Sequence, residues 1–222
     1  MRSDDPKLVH EQYETEDGLA ARASLYLHSA GGMDARDVVV DELRRIAPER
    51  VLEVGCGWGE LAERISVELG CDVVALDTSA RMVELATERG VDALVGDVQE
   101  LPFADGSFDA AVAAWMLYHV PDLDRGLAEL ARVLRPGGAL VAVTNGANDF
   151  EELWSLVGRD ISERALTFRV ENGEEHLRRH FATVERRDFA TPVSFPDSET
   201  MRRYVGSSEL GRSLLENVPE FT

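Results

Sequence analysis

The sequence predicts an α/β fold with a doubly wound, mostly parallel sheet, and two observations support this. Between residues 50 and 145, short apolar runs alternate with segments of helical periodicity, which is typical of parallel strands joined by crossover helices. The runs are almost continuously apolar, as strands buried on both faces must be. A length of 222 residues suits one domain of ordinary size.

The elements follow one another in a regular order. A first helix is predicted within residues 1–30 and a second over 34–46, ended by Pro48. Strands are predicted at 51–54, 72–76, 93–95, 108–114 and 139–143, with helices at about 60–69, 80–89 and 122–135 between them. Short helices at 150–157 and 173–181, a strand pair at 183–189 and 192–195, and a helix capped by Asp197 complete the chain.

A glycine-rich turn joins the first predicted strand to the helix after it. The apolar run 51–54 carries one acid, Glu53, and passes into glycines at alternate positions, Gly55, Gly57 and Gly59. A strand, glycine turn and helix in this order allow the main chain to approach a ligand at the helix N-terminus. Asp77 ends the second strand, where a carboxylate can accept hydrogen bonds from both ribose hydroxyls. These features predict an adenosine-containing ligand and leave its identity open.

The glycine turn resembles motif I of the class I S-adenosylmethionine-dependent methyltransferases. Its spacing is G-x-G-x-G, whereas dinucleotide binders have G-x-G-x-x-G. After the third strand, Gly96-Asp97-Val98 and the continuation to Asp109 closely resemble the type 11 branch of the same family. The resemblance covers residues 48–145 closely and the flanks weakly. It implies a Rossmann-like methyltransferase fold with an antiparallel edge strand, the cofactor S-adenosylmethionine and the product S-adenosylhomocysteine.

The resemblance also implies which residues bind the cofactor. Asp97 would accept a hydrogen bond from the adenine amino group, and the backbone N–H of Val98 would serve a ring nitrogen. Thr78 and Met82 would flank the adenine, and Ala114 would lie near the methionine portion. The implied set from the sheet region is Glu53, Gly55, Cys56, Gly57, Asp77, Thr78, Met82, Gly96, Asp97, Val98 and Ala114.

The N-terminal helices form a separate expectation. Residues 1–47 would cover the mouth of the cofactor site, and residues 48–222 would form the methyltransferase domain. Tyr13 and Arg22 would cap the methionine portion of the cofactor. The alternative is that these two side chains only pack a helix against the sheet.

Three histidines are candidates for a general base or for metal ligands. His119 follows the fourth strand, where it would either act as a general base or orient the loop. His176 and His180 have the i, i+4 spacing of metal ligands, but no third ligand is apparent in the sequence and their charged neighbours indicate a solvated face. We therefore predict no metal site.

Composition narrows the class of partner and the compartment. The net charge of −19 argues against nucleic acid, and the 23 basic residues include a single lysine, Lys7. No apolar stretch approaches the roughly 20 residues that span a bilayer, and the N-terminus lacks an apolar signal segment. Cys56 and Cys71 are too few for a disulfide framework. We expect a cytoplasmic protein that binds neither nucleic acid nor membrane.

The predicted function is methyl transfer from S-adenosylmethionine to an O, N, S or C nucleophile by in-line displacement. The segment after the fifth strand, about 146–180, is short, which favours a small-molecule acceptor. Two alternatives remain: a methyltransferase-like protein that binds the cofactor without transfer, and a nicotinamide-dependent oxidoreductase. The residues leave the acceptor and the oligomeric state open.

Overall fold

The computed structural model describes residues 33–161, 167–190 and 192–221. At its centre is a sheet of five strands in the order β3-β2-β1-β4-β5, and each strand runs parallel to its neighbours. The strands are β1 (Arg50–Val54), β2 (Asp72–Asp77), β3 (Asp92–Val95), β4 (Phe108–Ala114) and β5 (Leu134–Val143).

The helices of the described residues lie between and after these strands. They are α1 (Ala35–Ile46), α2 (Glu60–Leu69), α3 (Ala80–Glu88), α4 (Leu123–Val133), α5 (Glu151–Leu156), α6 (Gly173–Leu177), α7 (Ser198–Val205) and α8 (Glu209–Arg212). Two 3-10 turns, Leu117–His119 and Leu215–Asn217, complete the list. None of these helices is long and apolar enough to cross a membrane.

The sheet has a separate apolar core on each face because alternate strand residues point to opposite sides. On one face, Leu52 and Val54 pack in a cluster with Leu127 and Leu130 of α4. On the other face, Val51 packs with residues of α1 and α2, including Leu43 and Ile65. Glu53 is two residues after Val51, so its side chain points toward the α1 and α2 face. This position explains its burial.

The helix starts agree with their expected caps. The side chain of Asp122 accepts the backbone N–H of Arg125 at the start of α4, and Asp197 accepts that of Thr200 at the start of α7. The predicted end of α4 was too late. It ends at Val133, because Leu134 already pairs with Phe108, and a register shift then accommodates the Pro136-Gly137-Gly138 segment before Ala139 pairs with Ala110.

The predicted antiparallel strand pair at 183–189 and 192–195 is absent from the described residues. Residues 183–190 follow an irregular path, and β5 has no strand partner beyond β4 in this part of the chain. Four consecutive charged residues occupy positions 185–188. Arg186 pairs with Asp188, and Arg187 pairs with Glu42 of α1. This segment therefore lacks the apolar face that a strand on the sheet edge would bury.

Residues 206–221 fold back onto α7. Val218 is buried with Met201 and Trp154 in a third apolar cluster. The Ser198 hydroxyl donates to the backbone oxygen of Pro219 at 2.8 Å. The C-terminal segment is thus held by packing that its own sequence pattern does not reveal.

Candidate cofactor-binding site

The carboxyl ends of β1, β2, β3 and β4 meet at one edge of the sheet, where most of the implied site residues lie. Val54 pairs with Leu76, and Asp77 pairs with Val95, so the loops after the first three strands start side by side. In an open parallel sheet this edge is where ligands bind, on both sides of the strand at which the connections reverse direction. Here that strand is β1, which lies between β2 and β4.

Asp77 is joined to the glycine turn by hydrogen bonds. Its Oδ2 atom accepts the backbone N–H of Gly57 at 2.9 Å, and its Oδ1 atom accepts that of Ser79 at 2.9 Å. In addition, the N–H groups of Gly55 and Cys56 both donate to the carbonyl of Leu76. The end of β2 therefore determines the path of the turn after β1. Burial raises the pKa of the Asp77 carboxyl despite these bonds.

Gly55 is required by conformation and by space. Its φ is +68°, and a Cβ atom at this position would lie 2.6 Å from Cβ of Met116. The loop after β4 therefore occupies the space that a side chain at position 55 would need. Glycine is required here so that this loop can pack against the turn. This contact brings Met116 and its neighbour Trp115 next to the glycine turn.

Glu53 lies buried beneath the turn, with its side chain only 3% exposed. Among the described residues, no group donates a hydrogen bond to its Oε2 atom. Burial, with a smaller contribution from the charge of Asp77, raises the pKa of Glu53 to about 8, although the backbone N–H of Ala62 stabilises the ionised form. Burial raises the pKa of the neighbouring Cys56 thiol as well, which makes that thiol a poor nucleophile.

The turn after β3 contains the acid assigned to adenine. Asp97 is exposed, and its carboxylate accepts hydrogen bonds from the backbone N–H and the side-chain amide of Gln99. Val98 is buried in the core on the α4 face. Two residues were expected to flank the adenine. Thr78 is exposed, and Met82, in the first turn of α3, is fully buried.

The loop after β4 holds the residues nearest the expected methionine portion. Ala114 is partly buried, and Trp115 adopts a left-handed conformation with a φ of 55°. The Trp115 N–H donates to the carbonyl of Val143 at 2.9 Å, which links the ends of β4 and β5. His119 lies in the 3-10 turn, its ring centroid 4.5 Å from that of Tyr118.

Of the remaining candidate residues, two lie outside the described part of the chain and two histidines lie away from this site. Tyr13 and Arg22 lie outside the described residues. His180 is paired with Asp124 of α4, with 2.9 Å between Nε2 and Oδ1, and the ring of His176 faces Phe168. In the part of the chain that the structure describes, no three His, Cys, Asp or Glu side chains form a group that could hold a metal ion.

Comparisons with known proteins agree with this geometry. The family model described as a methyltransferase domain, type 11, matches residues 52–142. A methyltransferase of uncharacterised substrate from Mycobacterium bovis is 35% identical over 175 residues, which cover 76% of this chain and 70% of that relative. The chain belongs to the class I S-adenosylmethionine-dependent methyltransferases, in the type 11 branch. This membership decides against the nicotinamide-dependent alternative.

The chain is also similar to two proteins whose descriptions mention a methyl acceptor. A demethylmenaquinone methyltransferase from Renibacterium salmoninarum is 42% identical over 108 residues, which cover 48% of this chain and 45% of that relative. The crystal structure of a methyltransferase from Thermotoga maritima is 25% identical with a TM-score of 0.57, and the match covers 77% of this chain and 79% of that one. It is described as a possible histamine N-methyltransferase.

A pair of residues that the sequence analysis missed stabilises the loop that follows β3 and the Asp97 turn. Arg132 of α4 donates to the backbone carbonyls of Leu101 and Phe103 and to the side chain of Asp105. Glu129, one turn earlier on the same helix, pairs with Arg132 and accepts the N–H of Leu101 at 2.8 Å. An i, i+3 pair of opposite charges is common on exposed helices, so its sequence pattern alone indicates no such role.

Proposed function

We propose that this protein transfers the methyl group of S-adenosylmethionine to a small-molecule nucleophile by in-line displacement. The observation that carries the proposal is the arrangement of Glu53 and Asp77 beneath the glycine turn. Two carboxyl groups are buried near each other, and one of them has an oxygen with no partner in the described residues. Buried acids of this kind require a cation or hydroxyl donors to offset their desolvation.

The residues present fit the cofactor. Its amino-acid portion carries an ammonium group, which would supply the donor that Oε2 of Glu53 lacks. The Asp77 carboxylate has about four lone-pair sites, of which the Gly57 and Ser79 N–H groups use two. The ribose hydroxyls would bind to the others. Asp97 and the N–H of Val98 would bind the adenine, next to Gly96, Thr78 and Met82.

When bound, S-adenosylmethionine supplies a methyl group on a positively charged sulfur, and the neutral thioether that remains is a good leaving group. The protein therefore needs no nucleophilic side chain, and its contribution is alignment of the acceptor and exclusion of water. Such positioning can supply about 7–11 kcal/mol of the barrier. Ala114 and Trp115 would lie beside the reacting centre. His119 would either accept a proton from an O–H or N–H acceptor or only hold the loop in place.

A small-molecule acceptor is favoured by three observations. The segment between β5 and α6 contains only the short helix α5 among its described residues, which leaves little surface for docking a protein substrate. The net charge of −19 disfavours nucleic acid. The Renibacterium relative acts, by its name, on demethylmenaquinone. We further propose that the chain before α1, including Tyr13 and Arg22, covers the mouth of the site.

Two measurements test the proposed function. Titration calorimetry with S-adenosylmethionine, S-adenosylhomocysteine and NAD should show binding of the first two and none of the third. Incubation with methyl-labelled S-adenosylmethionine and a cell extract should yield a labelled small-molecule product in the ultrafiltrate, which chromatography separates from S-adenosylmethionine and which the extract alone does not form. Asp77→Ala should weaken cofactor binding by more than about tenfold and reduce the amount of labelled product accordingly.

The outcomes separate the alternatives. Preferential NAD binding would reject the cofactor assignment. Cofactor binding without any labelled product would indicate the binding protein without transfer activity, and labelled product retained with protein or nucleic acid would reject the small-molecule acceptor.

A further inference from the structure

Gln99 connects the adenine acid Asp97 to the start of helix α4. Its side-chain Nε2 lies 2.8 Å from Oδ2 and 3.1 Å from Oδ1 of Asp97, and its backbone N–H donates to Oδ1 at 2.9 Å. On the other side of the same amide, Oε1 accepts the backbone N–H of Asp122 at 2.9 Å. One side chain thus links two loops that are 23 residues apart.

The orientation of the Gln99 amide follows from its partners. A backbone N–H can only donate, so the atom facing Asp122 must be the amide oxygen. The amide NH₂ group then faces the Asp97 carboxylate, which can only accept when it is ionised. Each end of the amide therefore has one permitted partner, and the two contacts support each other.

The anchor at Asp122 is rigid because it caps a buried helix. Asp122 accepts the N–H of Arg125, and α4 packs through Leu127 and Leu130 into the core. The turn after β3 is attached to the same helix a second time, through the N–H of Leu101 and the Glu129 carboxylate. The position of Asp97 is thus determined by α4 as well as by β3.

We propose that Gln99 is a positioning residue that orients the Asp97 carboxylate toward the amino group of adenine and thereby makes the protein selective for adenine over 6-oxopurines. This inference rests on the proposed cofactor function. The carboxylate has lone pairs left for a ligand after the bonds from Gln99. A 6-oxopurine presents a carbonyl oxygen where adenine presents an N–H donor, so a carboxylate held in this orientation disfavours it.

The test compares S-adenosylhomocysteine with S-inosylhomocysteine, which differs from it at the purine 6-position. Wild-type protein should bind the adenine compound at least about tenfold more tightly in calorimetry. Gln99→Met keeps the side-chain length and removes the side-chain hydrogen bonds to Asp97 and Asp122. We expect it to weaken S-adenosylhomocysteine about tenfold and to leave S-inosylhomocysteine within about twofold, so that the discrimination nearly disappears.

Two further variants make the result specific. Gln99→Glu retains an acceptor for the Asp122 N–H but places a carboxylate against Asp97, so it should lose discrimination while the contact to the start of α4 is kept. Glu100→Gln is the matched control. The Glu100 side chain is 86% exposed and pairs only loosely with Arg125 at 3.5 Å, so discrimination should stay at the wild-type value.

The possible results are distinct. Equal weakening of both compounds by Gln99→Met, or unchanged discrimination in Gln99→Met and Gln99→Glu, would overturn the positioning role. A wild-type protein that binds neither compound would refute the proposed function and this inference with it. Wild-type binding of both compounds with equal affinity would refute the inference alone.

Discussion

The Asp77 carboxylate accepts the backbone N–H of Gly57 at 2.9 Å, across the turn between β1 and α2. This single contact joins the two features of the sequence that indicated an adenosine ligand. It also means that Asp77 has a structural role before any ligand binds, because the same side chain accepts the N–H of Ser79. Substitution of Asp77 is therefore expected to affect both stability and binding.

Replacing Asp77 with alanine should weaken S-adenosylhomocysteine binding by more than about tenfold, because the ribose hydroxyls would be left unpaired. The melting temperature should fall as well, since two backbone N–H groups lose their acceptor. Calorimetry and thermal melting measure the two effects. Asp72→Ala at the exposed start of the same strand is the control and should change neither. Unchanged binding in Asp77→Ala would contradict the site assignment.

Gly55→Ala and Gly70→Ala form a matched pair for the glycine turn. Their φ values are +68° and +66°, so both alanines carry the same backbone strain of about 1–2 kcal/mol. Only at position 55 does the new Cβ meet Met116, while nothing lies within 4 Å at position 70. Urea unfolding should show an additional loss of about 1–3 kcal/mol for Gly55→Ala. Equal losses would show that Met116 moves aside freely.

The raised pKa of Glu53 predicts a specific dependence of stability on pH. Because the pKa rises from 4.5 in the unfolded chain to about 8 in the folded protein, the native state binds the proton more tightly. The stabilisation is complete below pH 4.5 and is lost as the pH rises through about 8.

Glu53→Gln isolates this effect because the amide does not titrate. Relative to this variant, the wild-type unfolding free energy should fall with pH by at most about 1.4 kcal/mol per unit between these two values. Urea titrations at several pH values measure the difference. Parallel pH profiles for the two proteins would show that Glu53 has an ordinary pKa in the folded state.

Glu129→Ala should loosen the loop that follows the adenine turn. The variant removes the acceptor of the Leu101 N–H and the partner of Arg132, so exchange of the Leu101 amide with solvent should accelerate. The free energy of unfolding should fall by about 1–3 kcal/mol. Glu84→Ala is the control, because it removes the partner of Arg81 in a more exposed pair with the same i, i+3 spacing. It should lower the free energy of unfolding by less than about 1 kcal/mol. If the Leu101 amide exchanged with solvent as slowly in the variant as in the wild type, Glu129 would not be what holds this loop.

The fold was predictable wherever the signal was local. Asp122 and Asp197 precede their helices as caps, and the apolar runs of β1, β2 and β4 agree with the observed strands to within one residue. The end of α4 was misplaced because the pairing of Leu134 with Phe108 overrides the Pro-Gly-Gly stop signal. The expected antiparallel pair is absent from the described residues, in which the charged residues 185–188 form ion pairs, one of them with the distant helix α1.

The residues of the candidate site likewise divide into those that a local sequence pattern predicts and those that it does not. The glycine turn, Asp77 and Asp97 are recognisable because each directly follows a strand, and parallel strands end at a common edge. The roles of the Gln99 amide and of Arg132 were not predicted, because their contacts join residues more than 20 positions apart in the sequence. No local pattern distinguishes Arg132 from the other arginines of this chain, since its partners outside α4 are two backbone carbonyls and the distant side chain of Asp105.

The sequence by itself determined the α/β class, the order of strands and helices along the chain, and the presence of acids at the ends of β2 and β3. These features depend on periodicity and on short-range backbone chemistry. Only the tertiary structure decided that Glu53 is buried with an oxygen that no described residue pairs with, and that Gln99 links Asp97 to α4. Burial and long-range hydrogen bonds arise when distant segments pack together, and they determine the charge and orientation of side chains whose identity the sequence alone provides.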